Sequence, residues 1–216
     1  MSEFEGSKIY YFQNIDDNPI CGRGEPLRLL FDDADMDFEY IRYTYDEWPA
    51  VKQKLILEGH HMPTLPYLIT KEGKFYGTTV PLIRFICKKL NKYIPKFAED
   101  EYLADAYSDL YNDWMSKWAE VWFSKDPKVK DHYETTYCDT QLANWHNILG
   151  DKDGPYIFGD EISYTDFLLY QLLNHYNGAQ IDVNRYPRFD TFVKTIQSRP
   201  SLKKHFETER KESSEL

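Results

Sequence analysis

The hydrophobic periodicity of this chain changes once, near residue 100, and nothing else in the sequence restricts its fold as much. Ahead of that point short segments of strand alternation take turns with helical segments, and beyond it the periodicity is helical throughout. Lys8 to Phe12 (KIYYF) and Phe38 to Tyr43 (FEYIRY) predict strands. Between them Gly22, Gly24 and Pro26 announce a helix carrying Leu27, Leu30, Phe31 and Ala34 at helical spacing. A second helix is expected over Asp46 to Leu57, with Trp48, Val51 and Leu55 near one face, broken by EGHHMPTLP. Tyr67 to Thr70, a turn at Lys71-Glu72-Gly73, and Lys74 to Tyr76 predict a hairpin. The run TTVPLIRFICKKL then predicts a helix capped by Thr79, with Pro81 in its first turn and an apolar stripe of Val80, Ile83, Ile86, Cys87 and Leu90.

The order is therefore β-α-β-α-β-β-α over residues 1–90, a linker over 91–100 marked by proline and mixed charge, and an all-helical domain over 101–216. The fold class is α/β plus all-α. Residues 101 to about 124 place Leu103, Tyr107, Leu110, Trp114, Trp118 and Trp122 three or four apart, a helix on the order of 36 Å long. Further helices are expected near 132–149, 163–176, 187–198 and 200–207, with a frayed end at ERKESSEL. Ser163 and Asp166 have the spacing of a capping box: the hydroxyl accepts from the amide of Asp166 and the carboxylate reaches back to the amide of Ser163.

At 216 residues, with 18 Tyr and 5 Trp, the chain can bury a sizeable core. Its 36 acidic against 26 basic residues give a net charge of -10, which repels phosphate backbones and anionic lipids and argues against nucleic acid as a partner. No apolar run approaches the roughly 20 residues of a membrane span, and MSEFEGSKIYYF lacks the pattern of a secretory leader, so a cytoplasmic protein is expected. Cys21, Cys87 and Cys138 are odd in number and widely spaced, which argues for reduced thiols rather than a disulfide framework or a thiolate metal site.

The strand YYF followed by GRGEPLRLLF, then EWPAVK, PTLPYLI, the helix start TTVPLIRFI and finally GDEISYTDF, resembles in order the tyrosine-type cytosolic glutathione transferases, with features of the sigma and mu classes. The resemblance implies a thioredoxin-like, glutathione-binding N-terminal domain, a helical C-terminal domain, a homodimer and a role in detoxification. It implies an enzyme that adds the thiolate of glutathione, its cosubstrate, to small hydrophobic electrophiles.

That chemistry needs a group that ionises the sulfur, because a thiol with a pKa near ~8.5 is only a few per cent thiolate at neutral pH. In the family the tyrosine just before the strand's Phe donates a hydrogen bond to sulfur, which here is Tyr11, while Tyr10 points to the opposite face. The alternative is that both are ordinary strand aromatics. Arg23 matches the arginine of the GRG segment, whose guanidinium can favour the thiolate. Tyr11 and Arg23 stand twelve apart where the family has about six, so an insertion within QNIDDNPIC is expected to loop out beside the site.

The resemblance assigns the γ-glutamyl carboxylate to the helix start at Thr79, where hydroxyl and amides suit an anion. Thr78 stands where the family has glutamine. Backbone at Leu65, before a cis Pro66, would pair with the cysteinyl part. Pro63 is the competing position for the cis bond. Trp48 and Lys52, one helical turn apart, would hold the glycyl carboxylate. Asp105, Asp109 and Asp113 form a like-charged stripe at i, i+4 and i+8. Asp109 is the match for the family's aspartate that reaches the γ-glutamyl ammonium bound by the other subunit. A divalent cation bridging two stripes is a further option, but no metal site is expected, and a solvated acidic face is the plain alternative. Tyr107, Tyr111 and Trp114 would form the apolar bed for the electrophile, or else pack in the core. Two other functions compete: thiol-disulfide reduction by Cys21 near a helix start, and a non-catalytic glutathione- or ligand-binding or structural relative.

Overall fold

The first seventy-odd residues build a sheet in which every chain reversal happens at one edge or the other. A computed structural model describes residues 2–13, 22–175 and 181–207. The expected insertion, Cys21 and the expected frayed end lie outside the described residues. The chain divides into two units, one containing the residues up to Lys92 together with those from Gln197, the other running from Tyr93 to Ile196.

In the first unit β1 (Ser7–Phe12), α1 (Glu25–Asp33), β2 (Phe38–Tyr43), α2 (Trp48–Leu57), β3 (Tyr67–Ile69), β4 (Phe75–Gly77) and α3 (Thr79–Leu90) follow in the expected order. The sheet order is β2-β1-β3-β4. β1 runs parallel to β2, from Ser7 opposite Phe38 to Phe12 opposite Tyr43. It pairs antiparallel with β3, which pairs antiparallel with β4.

Burial alternates along β1, with Ser7, Ile9 and Tyr11 buried and Lys8, Tyr10 and Phe12 less so, so the strand has one enclosed face and one more open face. On that side α1 buries Leu27, Leu29, Leu30 and Phe31, packs against α3, and meets β2 through Phe31 and Phe38, whose rings lie edge to face at 5.4 Å. The other face is aromatic. Tyr10 stacks on Tyr67 at 4.4 Å, Tyr43 and Trp48 adjoin them, and Phe12 lies flat on Tyr45 at 4.2 Å. The hydroxyls of Tyr43 and Tyr67 share a hydrogen bond of 2.9 Å, so this layer keeps its polar tips paired while its ring faces are covered.

The chain beyond Gln197 returns to the first unit, where the sequence division had left it with the helical domain. Charge pairing accounts for this. Arg199 donates to both carboxylate oxygens of Asp33, at 2.6 and 2.7 Å, and Ser201 adds its hydroxyl. Residues 203–207 form a helical turn that carries His205, fully enclosed, between Glu25 at 2.7 Å and Asp32 at 2.7 Å.

The second unit contains α4 (Ala98–Phe123), α5 (Pro127–His132), α6 (Cys138–Ile148), α7 (Tyr164–His175) and α8 (Pro187–Gln197), the last ending at the unit boundary. The helix expected near 132–149 is interrupted: a π-helical stretch, Tyr133–Tyr137, joins α5 to α6. Within this unit α4 packs against α7. α4 buries Ala104, Ser108, Tyr111 and Met115, a three- and four-residue rhythm that leaves Asp105, Asp109 and Asp113 outward, while Asp100 is buried and paired with Lys152. The capping residues before α7 use their groups differently from expectation. The Asp166 carboxylate does accept from the amide of Ser163, at 2.7 Å, but it also takes the Ser163 hydroxyl at 2.8 Å and the amide of Ile157 at 2.8 Å. A buried carboxylate thereby ties the preceding loop to the helix start. No helix among the described residues is long and apolar enough to cross a membrane.

Candidate active site

Strand register collects the expected residues of the first unit at one edge of its sheet. Tyr11 lies near the C-terminal end of β1, and its neighbour Tyr10 is paired with Tyr67, the first residue of β3. Tyr67 is in turn paired with Gly77, the last residue of β4. Leu65 and Pro66, immediately before β3, and Thr78 and Thr79, immediately after β4, therefore stand at the same edge as Tyr11. The peptide bond between Leu65 and Pro66 is cis. α2 begins at Trp48 after β2 has reached that edge too. Carboxyl-terminal strand edges of α/β sheets are where such folds bind ligands, because loops and helix starts converge there.

Tyr11 is buried, only 9% exposed. Its hydroxyl oxygen accepts a hydrogen bond of 2.8 Å from the backbone amide of Arg23. Arg23 lies in a 3-10 turn, Gly22–Gly24, that leads into α1. The group that reaches Tyr11 is thus the main chain of Arg23, a contact that reading Arg23 for its guanidinium alone does not foresee. Both flanking glycines make the approach possible. A Cβ on Gly22, whose φ is +39°, would lie 2.4 Å from the Tyr11 hydroxyl. One on Gly24 would lie 2.8 Å from the root of the Tyr11 ring and 2.6 Å from the hydroxyl of Tyr40. Behind this turn the guanidinium of Arg28 lies 4.8 Å from the Tyr40 ring centroid and that of Arg42 5.1 Å away. Burial pushes the Tyr40 hydroxyl well above the usual tyrosine range, with Arg28 opposing the shift, so Tyr40 stays a neutral phenol beside Tyr11.

The start of α3 differs from the expected cap. Thr78, not Thr79, is the N-cap residue; it makes no side-chain cap bond, and Thr79 is the first residue of the helix and is buried. Thr78 has φ 67° and ψ 152°, a region that a β-branched residue enters only at a cost of roughly 1–3 kcal/mol. Its amide is held by the Thr64 hydroxyl at 3.2 Å, which helps fix this conformation. The result is a helix start with no intervening loop, its first-turn amides facing the sheet edge and Pro81 removing one donor. An N-terminus of this kind attracts carboxylates.

Trp48 is half-buried and belongs to the aromatic layer, 6.2 Å from Phe12 and 6.4 Å from Tyr67. It is a packing anchor whatever else it does. Lys52, one turn on, is exposed, and Leu65 is half-buried.

In the second unit, two of the three aromatics expected as an apolar bed are interior. Tyr111 has no exposed surface, and Trp114, 2% exposed, donates its indole N–H to the Tyr133 hydroxyl at 2.9 Å. Side chains enclosed in this way hold the helices together and present no face to a ligand. Tyr107 is half-buried against Trp145 and Phe158. In the acidic stripe, Asp105 takes a hydrogen bond of 3.0 Å from Tyr164, while Asp109 and Asp113 are exposed. No group of three or more His, Cys, Asp or Glu side chains converges to hold a metal ion among the described residues.

Comparison with known proteins agrees with this architecture. Residues 112–209 match the family model for the glutathione S-transferase C-terminal domain. The chain is 24% identical over 202 residues to glutathione S-transferase 4 of Caenorhabditis elegans, covering 88% of this chain and 92% of the relative. It is 26% identical to glutathione S-transferase Mu 1 of Macaca fascicularis, with 88% of each chain covered. Among solved structures, the Pi-class glutathione S-transferase of Onchocerca volvulus superposes with a TM-score of 0.79 at 22% identity, over 94% of this chain and 93% of that one. Over 88% or more of its length the chain is thus similar in sequence to glutathione S-transferases, and over 94% of its length it shares the fold of a solved one.

Proposed function

We propose that the chain is a glutathione transferase in which Tyr11 activates the sulfur. The observation that carries this reading is the hydrogen bond from the Arg23 amide to the Tyr11 oxygen. An amide that occupies an acceptor position of a phenol directs the O–H away from itself and makes it a stronger donor. A thiolate that accepts this O–H is stabilised, and its lost proton leaves to solvent. The thiolate then attacks the electrophilic carbon: the C–S bond forms and, on an aromatic chloride, the chloride departs with the bonding pair.

Other residues bind and orient. The γ-glutamyl carboxylate sits at the start of α3, on Thr79 and the first-turn amides, beside Thr78; the Leu65 backbone, ahead of Pro66, pairs with the cysteinyl part. Trp48 and Lys52 hold the glycyl carboxylate, and the Arg23 guanidinium adds positive charge near the sulfur. The partner copy in a homodimer contributes Asp109 to the ammonium. Ile56, Leu57 and Met62, apolar and exposed on the first unit, favour such an association. Tyr107, half-buried on α4, is the aromatic that this reading assigns to the electrophile. In the cytoplasm this activity would remove reactive hydrophobic compounds.

The test is conjugation of glutathione to 1-chloro-2,4-dinitrobenzene. Tyr11→Phe should lower kcat by about ten- to a hundredfold at pH 6.5, with a smaller effect at pH 9 where free thiol ionises unaided. Full activity in Tyr11→Phe would overturn the reading.

A further inference from the structure

Tyr11 is enclosed by a backbone collar. The turn Gly22–Gly24 passes across its ring so closely that a Cβ at either glycine would fall inside contact distance, 2.4 Å from the hydroxyl at Gly22 and 2.8 Å from Cγ at Gly24. The same turn delivers the Arg23 amide to the hydroxyl at 2.8 Å. Gly22 also has a φ of +39°, outside the range that L side chains readily adopt, and it is this conformation that turns the next amide inward. The geometry points to the Gly22–Arg23–Gly24 main chain as the positioning element for the Tyr11 hydroxyl, with the Arg23 N–H setting the direction and donor strength of the O–H offered to sulfur.

This inference rests on the reading of Tyr11 as sulfur activator and deepens it. Its physical content is that orientation comes from a group without rotamers. A side-chain partner would swing with its own χ angles, whereas an amide in a turn locked between Gly22 and the first residues of α1 does not. Gly24 serves the other end of the ring, where Tyr40, backed by Arg28 and Arg42, completes the enclosure. The main chain of the collar constrains Tyr11 without touching substrate, and in that respect Gly22, Arg23 and Gly24 are positioning residues.

The experiment removes one N–H. Replacing Arg23 by its α-hydroxy analogue, incorporated by nonsense suppression, turns the amide into an ester and keeps the side chain. The readouts are the pH profile of conjugation to 1-chloro-2,4-dinitrobenzene, the KM for glutathione and the ultraviolet absorbance of bound thiolate. The ester should lower kcat about five- to tenfold at pH 6.5 and move the thiol titration to higher pH, leaving KM for glutathione within about twofold. In a Tyr11→Phe background the same ester should change neither rate nor titration. Gly22→Ala should reproduce the ester's effect if it folds, and the ester decides the matter if it does not. An ester without effect on the wild-type profile, or one with an equal effect in Tyr11→Phe, overturns the collar. If Tyr11→Phe itself leaves the profile unmoved, the activator reading falls first and takes the collar with it, which is a different result from a collar failing around a working Tyr11.

Discussion

Removing the imidazole of His205 should destabilise the first unit by about 3–5 kcal/mol, the cost of stripping a partner from a buried ion pair. The magnitude follows from the surroundings. His205 Nε2 lies 2.7 Å from Glu25 and Nδ1 2.7 Å from Asp32, and the side chains of His205 and Glu25 have no exposure while that of Asp32 is 28% exposed. A neutral imidazole carries one N–H, so only the imidazolium can donate to both carboxylates. Arg28 donates to the other oxygen of Glu25 at 3.1 Å, which makes Asp32, His205, Glu25 and Arg28 a chain of alternating sign. The Glu25 side of this chain dominates the energy because it is dry; the partly wet Asp32 contact is worth about 0.2–1 kcal/mol. His205→Ala should therefore lower the urea midpoint by about 1–1.7 M if m is about 3 kcal/mol/M, followed by circular dichroism and by Trp48, the first unit's tryptophan. A loss under about 1 kcal/mol for His205→Ala would refute a charged and desolvated chain at this position.

Trp114→Phe takes the indole N–H away from the Tyr133 oxygen inside the helical unit and should cost about 1–3 kcal/mol in thermal or urea unfolding, with little effect on glutathione affinity. Alkaline pH should destabilise the whole chain. Burial pushes the Cys138 thiol from an ordinary value near 9 up to about 11, and burial likewise raises Cys87, Tyr67 and Tyr133. Each folded-state value lies above its unfolded one, so the stability these groups contribute is intact below about pH 9 and is lost as pH rises through their folded values; urea midpoints at pH 7, 9 and 10.5 should fall in that order. For the same reason Cys87 and Cys138 should resist a disulfide thiol reagent at pH 7.5 and react once the protein is unfolded.

The order of elements was legible because each carries its own local signal. Strand alternation at KIYYF, proline in the first turns of α1 and α3, and the glycine-bearing hairpin turn are all satisfied within a few residues. What escaped is settled across long separations. The C-terminal segment reads as one more helix of the second domain by its spacing, yet Arg199 and His205 pair with Asp33 and Asp32, more than 160 residues away in sequence. No periodicity encodes such a partner choice. The helix expected near 132–149 ends about where expected but is preceded by α5 from Pro127, and its change of winding at Tyr133–Tyr137 escapes notice because one extra residue per turn leaves the apolar spacing almost unchanged. Likewise Tyr107, Tyr111 and Trp114 share a helix, but which of them is enclosed depends on what covers them: α4 places Tyr111 and Trp114 inward and leaves Tyr107 half-buried.

At the candidate site the sequence points to side chains, whereas the structure brings backbone groups forward. The resemblance singles out Tyr11, adjacent tyrosines in a strand must face opposite ways, and the burial alternation of β1 puts Tyr11 on the enclosed side. Arg23 and Thr79 were singled out for their side chains, while the structure brings forward the amide of Arg23 and moves the cap to Thr78. Backbone groups leave their trace in sequence only through the residues that permit an unusual conformation. Gly22 and Gly24 are such a trace, since glycines on both sides of a residue mark a place where main chain must pass close to something bulky. Thr78 leaves none, because a β-branched residue at φ 67° is held there against its own preference by the Thr64 hydroxyl and the start of α3. The sheet edge therefore joins two kinds of constraint: one that glycine makes inexpensive around Tyr11, and one that the fold imposes at Thr78 where the helix start must face the same edge.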